Sequence, residues 1–288
     1  MPVRGIPTVT DCHVHVWGEG GMPYPYDPID RLATPESPAT AETLAEDMDA
    51  VRVTTAVLVQ PRIYGYDHAY LYAAARRLGW RARAVPLLDA ERPANAGEIR
   101  RLAGDPQTAA VRVIALGERP AEWLLSPNAD RAWDEAAGIG LPVGFLVDPP
   151  QLAVVARLAE RHPHLAVVVD HMGRCAASLQ PGNAAELLRL AAYPNVVVKL
   201  SAIGALSGEK PPYRDMWPLV ADLFETFGAT RLCWGSDWPH VRDYGAYGTC
   251  LESTRLALHG AAEADLREVF GGTAARVFGV AVAADDEG

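Results

Sequence analysis

Short apolar, β-branched runs alternate along this chain with longer amphipathic stretches. Eight of the runs read as strands, at 8–16, 54–60, 82–88, 109–115, 141–147, 165–171, 195–201 and 231–237. Several are apolar without alternation, as in Leu165-Ala166-Val167-Val168-Val169 and Asn195-Val196-Val197-Val198. Strands of that kind are buried on both faces, which means a parallel sheet covered by helices. Helical patterns follow the runs, among them Thr40–Val51, Tyr66–Leu78, Leu152–Arg161, Ala184–Ala192 and Met216–Phe227. Eight βα units predict an α/β fold, a (β/α)8 TIM barrel, as a single domain over 1–288, with 281–288 as a flexible tail. The main alternative, a doubly wound open sheet, usually has fewer strands, and no G-x-G-x-x-G follows the first strand. Pro149-Pro150 opens the fifth helix, and His162-Pro163 and Tyr193-Pro194 stop helices ahead of the next strands. The first βα loop, Gly18 to Pro38, is long and rich in Gly, Pro, Tyr and Asp, which fits a lid, a binding loop or a plain insertion.

Composition narrows the class only a little. The 288 residues carry 26 Lys and Arg against 36 Asp and Glu, a net charge of −10, with no basic stripe to hold nucleic acid or an anionic membrane. No apolar run approaches a membrane span of about 20 residues, and no apolar segment follows Arg4 as a secretory signal would require. Four scattered cysteines without a C-x-x-C fit free thiols in a reducing cytoplasm. Cys12 and Cys233 fall inside strands and read as core residues. The expected partner is a small-molecule substrate, and homo-oligomer formation stays open.

Candidate chemistry lies at the strand ends, where a barrel places its active site. The first strand carries Asp11-Cys12-His13-Val14-His15, and residues two apart in a strand share a face. Two neutral imidazoles converging there suit a divalent transition metal, although each can also be a satisfied core histidine. The sixth run ends Val169-Asp170-His171, and the eighth ends Trp234-Gly235-Ser236-Asp237, then Trp238-Pro239-His240. Three imidazoles and a carboxylate at one mouth are not needed to close a barrel, and a buried carboxylate is costly unless paired or metal-bound. Arg112 can read a substrate carboxylate or form a structural ion pair. Lys199 and Ser201 share a face at the seventh strand's end. Gln60 and Tyr64 flank the second strand's end as substrate contacts, His240 lines the mouth, and Trp17 and Trp238 wall it. His68, His162, His164 and His259 read as surface residues.

The D-x-H-x-H opening, V-V-D-H-M-G, K-L-S at Lys199–Ser201 and W-G-S-D-W-P resemble the amidohydrolase superfamily over essentially the whole chain. Nearest in pattern is its amidohydrolase-2 branch, including 2-pyrone-4,6-dicarboxylate lactonase and related lactone hydrolases. Val59-Gln60-Pro61 and the ending Phe270–Arg276, with Thr273 where an Asn is usual, fit the same branch. The resemblance implies a hydrolase opening a lactone or cyclic ester, expected to bear a carboxylate. His13, His15, His171 and Asp237 would be metal ligands, with Asp237 as general base and His171 beside it in catalysis. It implies one divalent metal, zinc or manganese, because the fourth strand has no bridging Lys or Glu and the fifth no His. Some relatives act without metal, so metal-independent action is the alternative. A non-oxidative decarboxylase of an aromatic or muconate-type acid and a non-catalytic binding barrel are the competing functions.

Overall fold

A computed structural model describes residues 8–30, 34–91, 95–177 and 184–281. Among the described residues are eight parallel strands: β1 Thr10–Val14, β2 Thr55–Val59, β3 Ala82–Val85, β4 Val111–Ala115, β5 Val143–Val147, β6 Val167–Val169, β7 Val196–Leu200 and β8 Leu232–Trp234. They pair in sequence order as β1-β2-β3 and β4 through β8. Single bridges close the two remaining seams. Ala84 meets Thr108 and Leu87 meets Arg112 between β3 and β4, and Val14 meets Trp238 between β1 and the end of β8. The result is the expected (β/α)8 barrel. Most of the proposed tail, 282–288, lies outside the described residues, as do 31–33 of the first loop.

The helices sit where the periodicity places them. α1 Ala41–Val51 is capped by the Thr40 hydroxyl, which accepts from the Thr43 N–H. α2 is Ala69–Leu78, α3 Asn95–Ala103, and α4 Pro127–Gly138 with Ser126 as its cap. α5 Leu152–Arg161 follows a short turn opened by Pro149, and α6 is Ala185–Arg189. α7 Ile203–Leu206 and α8 Trp217–Phe227 follow β7, while α9 Tyr247–Ala257, α10 Glu263–Arg267 and α11 Thr273–Phe278 follow β8. Two apolar clusters result. The larger fills the space between strands and helices. The smaller occupies the barrel interior with Cys12, Val57, Val59, Val168, Val197 and Cys233, and Phe278 of α11 joins it.

Strand lengths fall short of the apolar runs for a physical reason. β6 stops at Val169 because His171, Met172 and Gly173 all take left-handed backbone conformations, with φ of 52°, 52° and 60°. β8 stops at Trp234, and Asp237 is also left-handed at φ 66°. Non-glycine residues hold such conformations at about 1–3 kcal/mol each, and they concentrate at functional sites. Gly173 is the residue that tolerates it, and an added Cβ there would come within 2.8 Å of a Leu152 methyl. The strand pattern alone does not foretell these turns.

Candidate active site

The site is assembled from four strand ends. In β1 the register slips between Asp11 and Val14. Val14 packs into the outer cluster, whereas Cys12 joins the interior one. Asp11, three residues before Val14, also faces outward, accepting from the Tyr247 hydroxyl of α9 at 2.8 Å. This bulge turns His13 inward together with His15. The backbone is then fixed across the seam: Asp237 N–H donates to the His13 carbonyl at 2.9 Å, and His15 N–H to the Trp238 carbonyl at 2.6 Å.

The ligand-type atoms converge. His13 Nε2 lies 3.3 Å from His15 Nε2. Asp237 Oδ1 lies 3.8 Å from His13 Nε2, 3.3 Å from His15 Nε2 and 3.9 Å from His171 Nε2. Donors about 2.1 Å from a tetrahedral ion are spaced about 3.4 Å apart, so these separations are near the edges of a coordination tetrahedron. Asp237 Oδ1 is buried with no hydrogen-bond partner, as a carboxylate awaiting a cation or water would be. The residues present fit one divalent metal. His13, His171 and Asp237 each offer a donor atom, all within 4.8 Å of one another, and His15 stands beside that group.

Outer hydrogen bonds fix the rings. His15 Nδ1 is 2.8 Å from the Val59 carbonyl, which only accepts, so its proton sits on Nδ1 and Nε2 is free. His171 Nδ1 meets the Ser201 hydroxyl at 2.8 Å. Burial pushes the His171 imidazole down to about 4, against the opposing pull of Asp237 and Asp170, so the ring is neutral at pH 7. Burial alone would raise the Asp237 carboxyl, but the surrounding imidazoles of His171, His15 and His13 outweigh it and hold it below the usual carboxylate range.

Beneath the imidazoles lies a fully buried charge cluster. Asp170, 0% exposed, accepts from Arg112 Nε at 2.7 Å on Oδ2 and is ion-paired through Oδ1 with Lys199 Nζ at 3.1 Å. Its Oδ1 is 3.5 Å from His13 Nδ1. Burial disfavours the Asp170 charge, yet Lys199 and Arg112 hold the carboxyl well below its ordinary range. Lys199 Nζ stands 3.2 Å from His13 Nδ1 and 5.1 Å from the Phe278 ring centroid.

Above the imidazoles opens a cavity of about 810 Å3. His15, His171, Asp237, Arg112 and His240 line it, with Trp17, Leu146, Arg62 and Arg174. Ser201 touches it only through His171. Two expected substrate contacts are elsewhere. Gln60 is fully buried, its amide donating to the Gly65 and Asp67 carbonyls, so it pins the loop after β2. Tyr64 is 2% exposed and its hydroxyl accepts from the Gly18 N–H, which anchors the first loop. Trp238 is buried behind the site and donates to Asp47, so Trp17 alone of that pair walls the cavity. His68 and His162 are buried rather than on the surface, the latter between Asp130 and Asp134 at 3.0 Å each. Sequence reasoning also passed over Asp11 and Asp170. Asp170 had a signal, an acid closing the all-apolar run Val167–Val169. Arg62 and Arg174 arrive from loops and had none.

Comparison with known proteins resolves the family. The amidohydrolase family model matches residues 10–280, nearly the whole chain. The chain belongs to the amidohydrolase family. This amidohydrolase is 30% identical over 247 residues to an L-fucono-1,5-lactonase of Burkholderia ambifaria, covering 82% of this chain and 84% of that protein. It is 28% identical over 243 residues to a 2-pyrone-4,6-dicarboxylate hydrolase of Comamonas testosteroni, with 80% and 76% covered. A zinc-bound amidohydrolase of Burkholderia multivorans shares its fold, with a TM-score of 0.77 at 22% identity over 95% of this chain and all of the other. The chain is therefore a hydrolase of this family, acting on a small molecule.

Proposed function

We propose that this amidohydrolase opens a lactone, with Asp237 as the general base. The observation that carries the reading is the Asp237 carboxylate: ionised, unpartnered at Oδ1, and set among three imidazoles at the floor of a cavity. Two similar proteins, one named a lactonase and the other a hydrolase of 2-pyrone-4,6-dicarboxylate, support the substrate class. A water between Asp237 Oδ1 and a bound lactone carbonyl gives its proton to the carboxylate as it attacks. The N–H groups of Arg112 that Asp170 leaves free donate to substrate oxygens, including the oxygen on which charge develops. Asp237 then returns the proton to the departing alkoxide, which opens the ring. Neutral His171, oriented by Ser201, and His240 complete the wall around the substrate. His13, His15, His171 and Asp237 would hold one zinc or manganese ion. Such an ion, when bound, lowers the pKa of its water and polarises the carbonyl.

The lactone is uncharged in this reading. Every arginine lining the described cavity already has a carboxylate partner: Arg62 with Asp30, Arg112 with Asp170 and Arg174 with Asp148. Glu36 and Asp243 add further negative charge to the rim. A carboxylate-bearing lactone, the expectation from sequence, would meet only guanidinium groups whose charge a carboxylate already balances. Hydrolysis of an aldonolactone and of 2-pyrone-4,6-dicarboxylate by the same preparation tests both parts. The expected result is kcat/KM at least about tenfold higher for the aldonolactone, one tenfold step being about 1.4 kcal/mol of transition-state binding. Preference for the dicarboxylate would overturn the charge argument. Turnover of neither lactone would overturn the function.

A further inference from the structure

We infer that Lys199 restrains metal binding at this site by holding His13 with its proton on the inward-facing nitrogen. The inference rests on His13 being one of the metal-binding residues proposed above. An ammonium has only donors, so at 3.2 Å it must donate to His13 Nδ1, which leaves the imidazole proton on Nε2. The adjacent contact is consistent with this. His15 carries its own proton on Nδ1, bonded to the Val59 carbonyl, so His15 Nε2 accepts from His13 Nε2–H at 3.3 Å. The chain Lys199 to His13 to His15 to Val59 is thus satisfied end to end with one direction of donation. The same arrangement places a proton on the atom that would face an ion.

Metal ligation requires the opposite polarity. His13 must bare Nε2 and carry its proton on Nδ1, and metal-binding imidazoles usually give that proton to a carboxylate or carbonyl. The acceptor exists: Asp170 Oδ1 lies 3.5 Å from His13 Nδ1 and has no hydrogen-bond partner in its present geometry. Lys199 stands between the two, 3.1 Å from Asp170 Oδ1 and 3.2 Å from His13 Nδ1. Binding an ion therefore turns an N–H toward an ammonium and sacrifices the Lys199–His13 bond. An imidazole that accepts from Lys199 at Nδ1 is neutral, so the restraint is one of proton position within the ring. No other cation is within hydrogen-bond reach of His13 among the described residues. Lys199 is thereby a positioning residue that tunes how readily the site takes an ion.

Replacing it with an isosteric apolar side chain separates the two states. In Lys199→Met, His13 Nδ1–H is free to donate to Asp170 Oδ1, and Asp170 keeps Arg112 as its counter-ion. Zinc titration of metal-stripped wild type and Lys199→Met by calorimetry is the test. The variant is expected to bind about tenfold tighter or more, the worth of one charge-assisted hydrogen bond. Equal or weaker binding by a folded variant overturns the inference while leaving the ligand set in place. Binding by neither protein removes the ligand set and the inference together. If the variant does not fold, the wild type alone decides. Nitrogen NMR of the metal-free protein with labelled histidine is expected to show His13 protonated at Nε2, and protonation at Nδ1 overturns the inference.

Discussion

Replacing Asp170 with Asn tests whether the cluster beneath the imidazoles is held by charge. Asp170 is fully buried with Arg112 Nε at 2.7 Å and Lys199 Nζ at 3.1 Å. At an effective dielectric of about 20, these two contacts attract by a gross figure of about 11 kcal/mol. Desolvation of three ions offsets most of that. Removing the anion keeps the desolvation cost of both cations, which are 3% and 2% exposed, and turns an Asn amide toward two donors. Breaking a buried pair from one side costs about 3–5 kcal/mol, and two stranded cations place Asp170→Asn at the upper end. At about 2–4 °C per kcal/mol the expected loss of Tm is about 10–20 °C. Urea unfolding in chelator, followed by tryptophan fluorescence, measures it directly. The double variant Asp170→Asn with Lys199→Met removes one of the stranded cations and is expected to recover about half the loss. A single variant within about 1 kcal/mol of wild type, or a double variant weaker than the single, would refute the charge argument.

Further outcomes follow from the same geometry. Asp237→Asn is expected to lower kcat by about 10²–10⁴ with an unchanged unfolding midpoint, since it removes a general base and no hydrogen bond at Oδ1; a wild-type rate would remove Asp237 from the reaction. Ser201→Ala frees His171 Nδ1 and is expected to cost about 10–100-fold in activity with little change in stability, as measured by parallel kinetics and melting. His68 is held neutral by burial, its pKa pushed down to about 4 from 6.5. The unfolded chain therefore binds the extra proton between those values, so stability rises with pH from about 4 to about 6.5, by about 3 kcal/mol at most. His68→Leu should flatten that part of the Tm-against-pH curve, and an unaltered slope would count against the burial argument.

The barrel was legible because its evidence is local and repeated. Runs such as Val196–Val198 read as buried strands, and Thr40, Pro149, Pro163 and Pro194 mark helix ends that the structure shows. The face shared by His13 and His15 was legible from spacing, but for an incomplete reason. Regular alternation from Val9 would have carried Asp11 and His13 to the same side. The slip between Asp11 and Val14 instead sends Asp11 out to Tyr247 and His13 in. Gln60 and Tyr64 were misplaced because a polar side chain at a strand end can serve the loop as readily as the ligand. The carbonyls of Gly65 and Asp67 and the N–H of Gly18, which claim them, belong to backbone whose path the side-chain pattern does not record.

The least legible feature is also the one that governs the chemistry. Lys199, Arg112 and His13 come from β7, β4 and β1 and Asp170 from the turn that follows β6, and no spacing in the chain announces that they meet. Their positions are nevertheless constrained once the barrel is known. Ala110 and Arg112, Val168 and Asp170, and Val197 and Lys199 each follow one another on the inward face of their strands, the smaller apolar residue below and the charged one above. The interior of this barrel is therefore apolar in its lower layer and ionic in the next, with the imidazoles on top. A layer of ions beneath a cluster of histidines fixes proton positions that the histidines cannot fix alone. That is why the bonding of His13, although it stands in the most conspicuous motif of the sequence, is decided by Lys199 and Asp170, residues 186 and 157 positions away.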